Sequence, residues 1–174
     1  KFYKMTESFE KTKLAGTIAS GALDEVNNII KPGISTIEID KLCYQYINDH
    51  KAFSAPLYYR GYPKSCCTST NHVVCHGIPS EKILKEGDIV NVDVTAVKDG
   101  WHGDTSRMFV VGECSVKAKK LIKITYNAMM NAIEIIKANE KIGNIGYTIQ
   151  KSVEAEGFSV VRDFCGHGIG KKFH

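Results

Sequence analysis

One short stretch, Asn91 to Met108, constrains this chain more than any other. It reads N-V-D-V-T-A-V-K-D-G-W-H-G-D-T-S-R-M. Val90, Val92 and Val94 alternate with Asn91, Asp93 and Thr95, the period-two pattern of a half-buried strand. Asp99-Gly100 is a strong signal for a two-residue hairpin turn. A turn of that length sets Lys98 opposite Trp101, Thr95 opposite Asp104 and Asp93 opposite Ser106. Asp93 and Asp104 then share one face as diagonal neighbours, about 7–8 Å apart at Cα. Two carboxylates that close either repel or hold cations between them, and a pair of divalent ions about 3.5–4 Å apart fits the spacing.

The rest of the composition narrows the class. At 174 residues and 43% hydrophobic, the chain can bury a sizeable core in one or at most two domains. A net charge of +4 is mild. The densest basic run, Lys117, Lys119 and Lys120, has no interleaved aromatics and reads as a solvated helix start, so no nucleic-acid specificity is expected. No apolar stretch reaches membrane-spanning length and no signal-peptide pattern opens the chain. Six cysteines without zinc-like spacing, two of them adjacent (Cys66 and Cys67), read as reduced thiols of a cytoplasmic protein. The chain opens on Lys1 rather than Met, so its ends need not be native ends.

A weak internal similarity organises the chain. Ile29-Ile30-Lys31-Pro32 through Phe53-Ser54-Ala55 resembles Ile135-Ile136-Lys137-Ala138 through Phe158-Ser159-Val160, about 105 residues later, a period too long for a solenoid. Each copy follows one amphipathic helix (Thr12 to Ile30; Val116 to Lys137) and contains a second (Thr36 to His50; Ile142 to Glu156). Duplication of a half-domain and coincidence both account for this. Under duplication, residues 5–113 form a first half-repeat and a second begins near 114, within one domain spanning 1–174. A counterpart of Asp93 is then expected near residue 199, which would leave the C-terminal part of the second copy beyond His174. Strands are expected near Ala55–Tyr59, Ser65–Ser69, Val73–Cys75, Ser159–Asp163 and from His167 onward. Together these predict an α+β fold, helices on one face of a curved antiparallel sheet.

Several side chains add chemistry. His167 lies in Cys165-Gly166-His167-Gly168-Ile169-Gly170, where flanking glycines let a ligand approach the backbone. A neutral imidazole with two carboxylates makes a mixed N/O set suited to Mn, Fe, Co or Zn. His76, in Cys75-His76-Gly77-Ile78-Pro79, and His174, beside Phe173, read either as loop histidines or as donors to a substrate amide. Tyr58, Tyr59, Tyr62, Cys66 and Cys67 read either as a pocket rim for a small apolar or thioether side chain or as core packing. His102 falls on the face of Asp104, nearer the turn, and reads as structural.

At these residues the sequence resembles a known family. Asn71 through Pro79, Gly87 through Thr95 with Asp104-Thr105-Ser106, and Cys165 through Gly170 are similar, in order, to the type I methionine aminopeptidases of the bacterial kind, in peptidase family M24. The resemblance implies their pita-bread fold, a pseudo-twofold duplicated architecture, and a site of two divalent ions held by two aspartates, one histidine and two glutamates. Asp93, Asp104 and His167 match three of these ligands. Both glutamates are expected beyond His174, so a protein ending there is expected to bind metal weakly and be inactive by itself.

The resemblance further implies removal of the initiator methionine from nascent polypeptides, by a water or hydroxide bridging the two ions. A glutamate of the missing part would serve as base. His76 matches the histidine near the scissile amide and His174 the one facing the developing oxyanion. Tyr59, Tyr62, Cys67 and Phe173 match the methionine pocket, and Asn71 and Val73 a monovalent-cation site. Pro56 replaces a pocket cysteine of close relatives and Arg60 a histidine of some. Nascent chains imply transient contact at the ribosome; a monomer with no membrane partner is expected. A proline-cleaving relative, a binding module that has lost its metal and a purely structural domain are the rival readings. The Cys75–Pro79 motif argues against the first and the intact Asp93, Asp104 and His167 against the other two.

Overall fold

The computed structural model describes residues 2–174, with side chains from residue 6 onward. Two compact units emerge, Lys1–Cys114 with His167–His174, and Ser115–Gly166. The first is built on the expected hairpin. Strands β3 (Ile89–Lys98) and β4 (Trp101–Val110) pair antiparallel with Thr95 opposite Asp104 and Asp93 opposite Ser106. The turn between them has Asp99 at φ 51° and Gly100 at φ 78°; two left-handed residues give the turn whose twist matches its strands. Along the other edge of β3 lie β1 (Phe53–Ser54), paired at Val97 and Ala96, and β2 (Cys67–Thr70), paired from Asp93 to Val90.

Two helices cover one face of this four-stranded sheet. Helix α1 (Phe2–Ile29) packs on β3 and β4, and α2 (Thr36–Asp49) packs on α1 and β1. Ala15, Ala19, Ala22, Leu23 and Val26 of α1 meet Val90, Val92 and Val94, and all of these are at most 1% exposed. The run of alanines allows close approach. At Gly103 of β4, an added Cβ would land on the backbone of Ala15 and Gly16. Helix α2 starts on a capping box: Ser35 Oγ accepts from Glu38 N–H, and Glu38 Oε2 accepts from Ser35 N–H at 2.8 Å.

The second unit is a helix pair, α3 (Val116–Glu134), capped by Ser115, and α4 (Gly143–Glu154). Ala128, Ala132 and Val153 are buried in it. Lys120 ties down its C-terminal turn, donating to the Glu156 carboxylate at 3.1 Å with the Phe158 ring 5.7 Å from its ammonium. Among the described residues no helix is long and apolar enough to cross a membrane.

The helices fall where their periodicity puts them, but several expected strands do not form. Residues 55–62 coil into a turn ending in a short 3-10 segment at Tyr59–Gly61, because Pro56 cannot donate to a ladder and Tyr58 and Arg60 take left-handed backbone. Val73–Cys75 follows left-handed Asn71 and loops away from β2. Ser159–Asp163 has no paired strand among the described residues. The segment from His167 onward is joined to β4 by a single ladder-like bond, His102 N–H to the Gly170 carbonyl at 2.8 Å. One bond does not make a strand.

Gly103→Ala is expected to cost about 2 kcal/mol through overpacking against α1. Gly16→Ala on the same helix, whose Cβ meets nothing within 4 Å, is expected to be neutral or to stabilise by up to about 1 kcal/mol. Denaturant melts of both variants check this; equal losses would contradict the close-approach account.

Candidate metal centre

The face of β3 and β4 away from α1 carries Asp93, Thr95 and Asp104, which line a cavity of about 670 Å³ with His76, His167 and His174. Asp93 is half-buried between Cys67 and Ser106, its pairing partners on either side. Burial, then the charge and hydrogen bond of Asp104, push its carboxyl from 3.8 up to about 7, against a smaller lowering by His167.

His167 arrives from the other end of the chain. Its Nδ1 donates to the Gly168 carbonyl oxygen at 3.0 Å, which leaves Nε2 as the nitrogen turned to the carboxylates. That Nε2 stands 3.5 Å from Asp104 Oδ2, with the two side chains 35% and 23% exposed. Among the described residues no three His, Cys, Asp or Glu side chains already converge as a cation nest. Even so, the donors fit divalent ions by their chemistry: two carboxylates and an imidazole whose tautomer is set by its other nitrogen.

Two local devices seat the histidines. Gly77 lies so close to β2 that a Cβ would strike the Thr68 carbonyl. Its own carbonyl accepts from Thr68 N–H at 2.8 Å and from Tyr62 O–H at 3.0 Å, which holds the loop presenting His76 from left-handed backbone. His102 serves the 167–174 segment. Besides its backbone bond, its Nδ1 donates to the Gly170 carbonyl at 3.0 Å, and its ring stacks on Phe173 at 5.7 Å. Sequence reasoning treated His102 as structural; its parity with Asp104 was the signal that it lies beside the site.

The remaining candidates divide. Tyr59, Tyr62, Cys67 and Phe173 line the cavity. Tyr59 meets Phe173 edge-on at 5.0 Å and His174 Nδ1 through its hydroxyl at 3.1 Å. Burial, with Asp93 also contributing, raises the Cys67 thiol to about 11, which leaves it a soft, neutral wall rather than a nucleophile. Burial raises Tyr62 as well, so it remains a donor. His174 is lowered by lost hydration and by His167 and Arg60. Cys66 belongs to the core, fully buried near Cys43 and Asp40, and Tyr58 points outward, 79% exposed. Asn71 and Val73 lie off the cavity; the Asn71 side chain donates to Asp88 at 2.8 Å and accepts from Ile89 N–H. Pro56, which replaces a pocket cysteine of close relatives, lines the cavity, and so do Arg60 and Thr95, which sequence reasoning did not assign to the site. Only Thr95 had a legible signal, its place opposite Asp104.

Comparison with known proteins fits this geometry. The sequence profile of metallopeptidase family M24 matches residues 10–174. The chain belongs to that family. It is 52% identical over 168 residues to the methionine aminopeptidase of Rickettsia prowazekii, covering 97% of this chain and 65% of that protein. The chain therefore spans about two thirds of the length of this relative. The crystal structure of methionine aminopeptidase from R. prowazekii superposes with a TM-score of 0.96 at 52% identity, over 97% of this chain and 68% of that one. A Xaa-Pro dipeptidase from Bacillus anthracis, 24% identical, shares the fold with a TM-score of 0.81, over 97% of this chain and 46% of that one. The pita-bread architecture common to these M24 peptidases is thus the architecture here.

An Asp raised in the folded state stabilises below its unfolded pKa, and that contribution is lost as pH rises through the folded value. In a chelator, the melting temperature of the chain is therefore expected to fall between about pH 4 and pH 7 through Asp93. Asp93→Asn removes that component, so the two profiles should diverge above pH 4, with the variant higher. Parallel profiles would contradict the raised Asp93 carboxyl.

Proposed function

We propose that this site releases methionine from polypeptide N-termini by metal-assisted hydrolysis. The observation that carries the reading is that Asp93, Asp104 and His167, its Nε2 3.5 Å from Asp104, line one cavity that also holds His76 and His174. Asp93, Asp104 and His167 would hold two divalent ions, with Co, Mn, Fe or Zn all suited to such donors. When bound, these ions supply Lewis acidity and lower the pKa of water.

The chain's own residues do the rest. The Asp93 and Asp104 end, where the ions would sit, would receive the substrate's free α-amino group, which restricts release to the first residue. Cys67, Tyr59, Tyr62 and Phe173 offer soft and aromatic surface to a thioether side chain. His76 is placed to hold the scissile amide. His174, bonded to the Tyr59 hydroxyl at 3.1 Å, donates to the carbonyl oxygen as negative charge grows there. Asn71 and Val73 keep a monovalent-cation role in the same proposal. Nascent chains beginning with methionine, met transiently at the ribosome in the cytoplasm by a monomer, are the partners this reading carries.

Asp104→Asn, in the protein at its natural length, is expected to lower methionine release from Met-Ala-Ser by about a thousandfold with an unchanged circular dichroism spectrum. Release at the wild-type rate would remove the metal reading. His174→Ala should lower kcat by about 10²–10³ with a smaller change in KM. Xaa-Pro peptides should not be turned over; cleavage of those in preference to Met-Ala-Ser would favour a proline-specific relative instead.

A further inference from the structure

Among the described residues that line the cavity, Arg60 alone carries a permanent positive charge. Its backbone is left-handed, φ 49° and ψ 33°, in a turn where Tyr58 is left-handed as well at φ 66°. Neither is a glycine, and such strain persists only where the surrounding structure enforces it. Here the turn is closed by Tyr58 N–H to the Tyr62 carbonyl at 2.7 Å and Tyr62 N–H to the Tyr59 carbonyl at 3.0 Å. The result is a guanidinium whose central carbon lies 5.5 Å from the centre of the Tyr59 ring.

A continuous line of contacts joins this cation to the carboxylate pair. Asp104 meets His167 at 3.5 Å, the His167 and His174 rings are 4.5 Å apart, and His174 meets the Tyr59 hydroxyl at 3.1 Å. Tyr59 in turn lies under Arg60. The cavity therefore has the Asp93 and Asp104 pair at one end and a guanidinium at the other. A peptide with its N-terminus at the Asp93 and Asp104 end and its first carbonyl at His174 runs toward Arg60 as it leaves. Past His174 the Tyr59 hydroxyl is 3.1 Å away and Arg60 is 5.5 Å from the Tyr59 ring. That reach is on the order of two extended residues at about 3.3–3.6 Å each, which points to the third residue.

We propose that Arg60 is a specificity-determining residue that favours polypeptides with an acidic side chain at the third position, two residues beyond the cleaved methionine. This rests on the aminopeptidase reading above. A guanidinium on an open rim contributes modestly, and its effect is screened by salt. It acts on the choice among substrates rather than on the bond-breaking step.

The test compares kcat/KM for Met-Ala-Asp-Gly-amide, Met-Ala-Gln-Gly-amide and Met-Ala-Lys-Gly-amide, using the metal-loaded protein at its natural length. For the wild type, the Asp peptide should exceed the Lys peptide by about fivefold, and the ratio should collapse in 0.5 M NaCl. In Arg60→Gln it should approach one, and in Arg60→Glu it should invert. A wild-type ratio of one, or the same ratio in all three proteins, would overturn the assignment while leaving the peptidase reading intact. No methionine release from any of the three peptides would overturn the peptidase reading, and the Arg60 assignment would fall with it.

Discussion

The register of one hairpin governs everything at the site. Left-handed Asp99 and Gly100 set Thr95 opposite Asp104, and that single pairing puts Asp93 and Asp104 on the same face. A slip of one residue would send Asp104 to the opposite face of the sheet and Asp93 would stand alone. The buried side holds the register from the other direction: Val90, Val92 and Val94 are fully buried, and a slip would also force polar side chains into that core. The apolar packing that stabilises the sheet and the electrostatic conflict that makes it useful are thus two faces of one strand.

Around that hairpin the protein brings distant segments close by dispensing with side chains. Gly103 lets α1 lie directly on β4, and Gly77 lets the His76 loop lie against β2. The segment bearing His167, Phe173 and His174 is fastened instead by His102, which commits both its backbone and its ring to the Gly170 carbonyl. These contacts build a cavity whose floor repels itself when empty of cations. Asp93 carries that conflict as a carboxyl raised to about 7, the kind of perturbation that marks a site arranged for chemistry rather than for stability.

What could be read from the sequence was what local periodicity and turn chemistry decide. The Asp99-Gly100 turn fixed Asp93 and Asp104 on one face before any coordinate was known, and helix α2 runs Thr36–Asp49 where Thr36 to His50 was expected. The family likeness, carried by three ordered motifs, agrees with the profile match over residues 10–174. What escaped was what depends on tertiary partners. Ala55–Tyr59 reads as a strand by composition, yet Pro56 and left-handed Tyr58 make it part of a turn that carries Arg60 to the cavity rim. Cys66 and Cys67 are neighbours in sequence, but alternation sends one into the core and the other into the cavity, a division that only the pairing of Cys67 with Asp93 reveals.

The proposed peptidase reading turns on two divalent ions held at this face of the hairpin. The most direct measurement is the metal content of the protein at its natural length, dialysed to equilibrium against one divalent ion and assayed by mass spectrometry, beside Asp93→Asn. The account predicts two ions per chain in the wild type and a clear loss in the variant. A wild-type count below two, or the same count in both proteins, would contradict it.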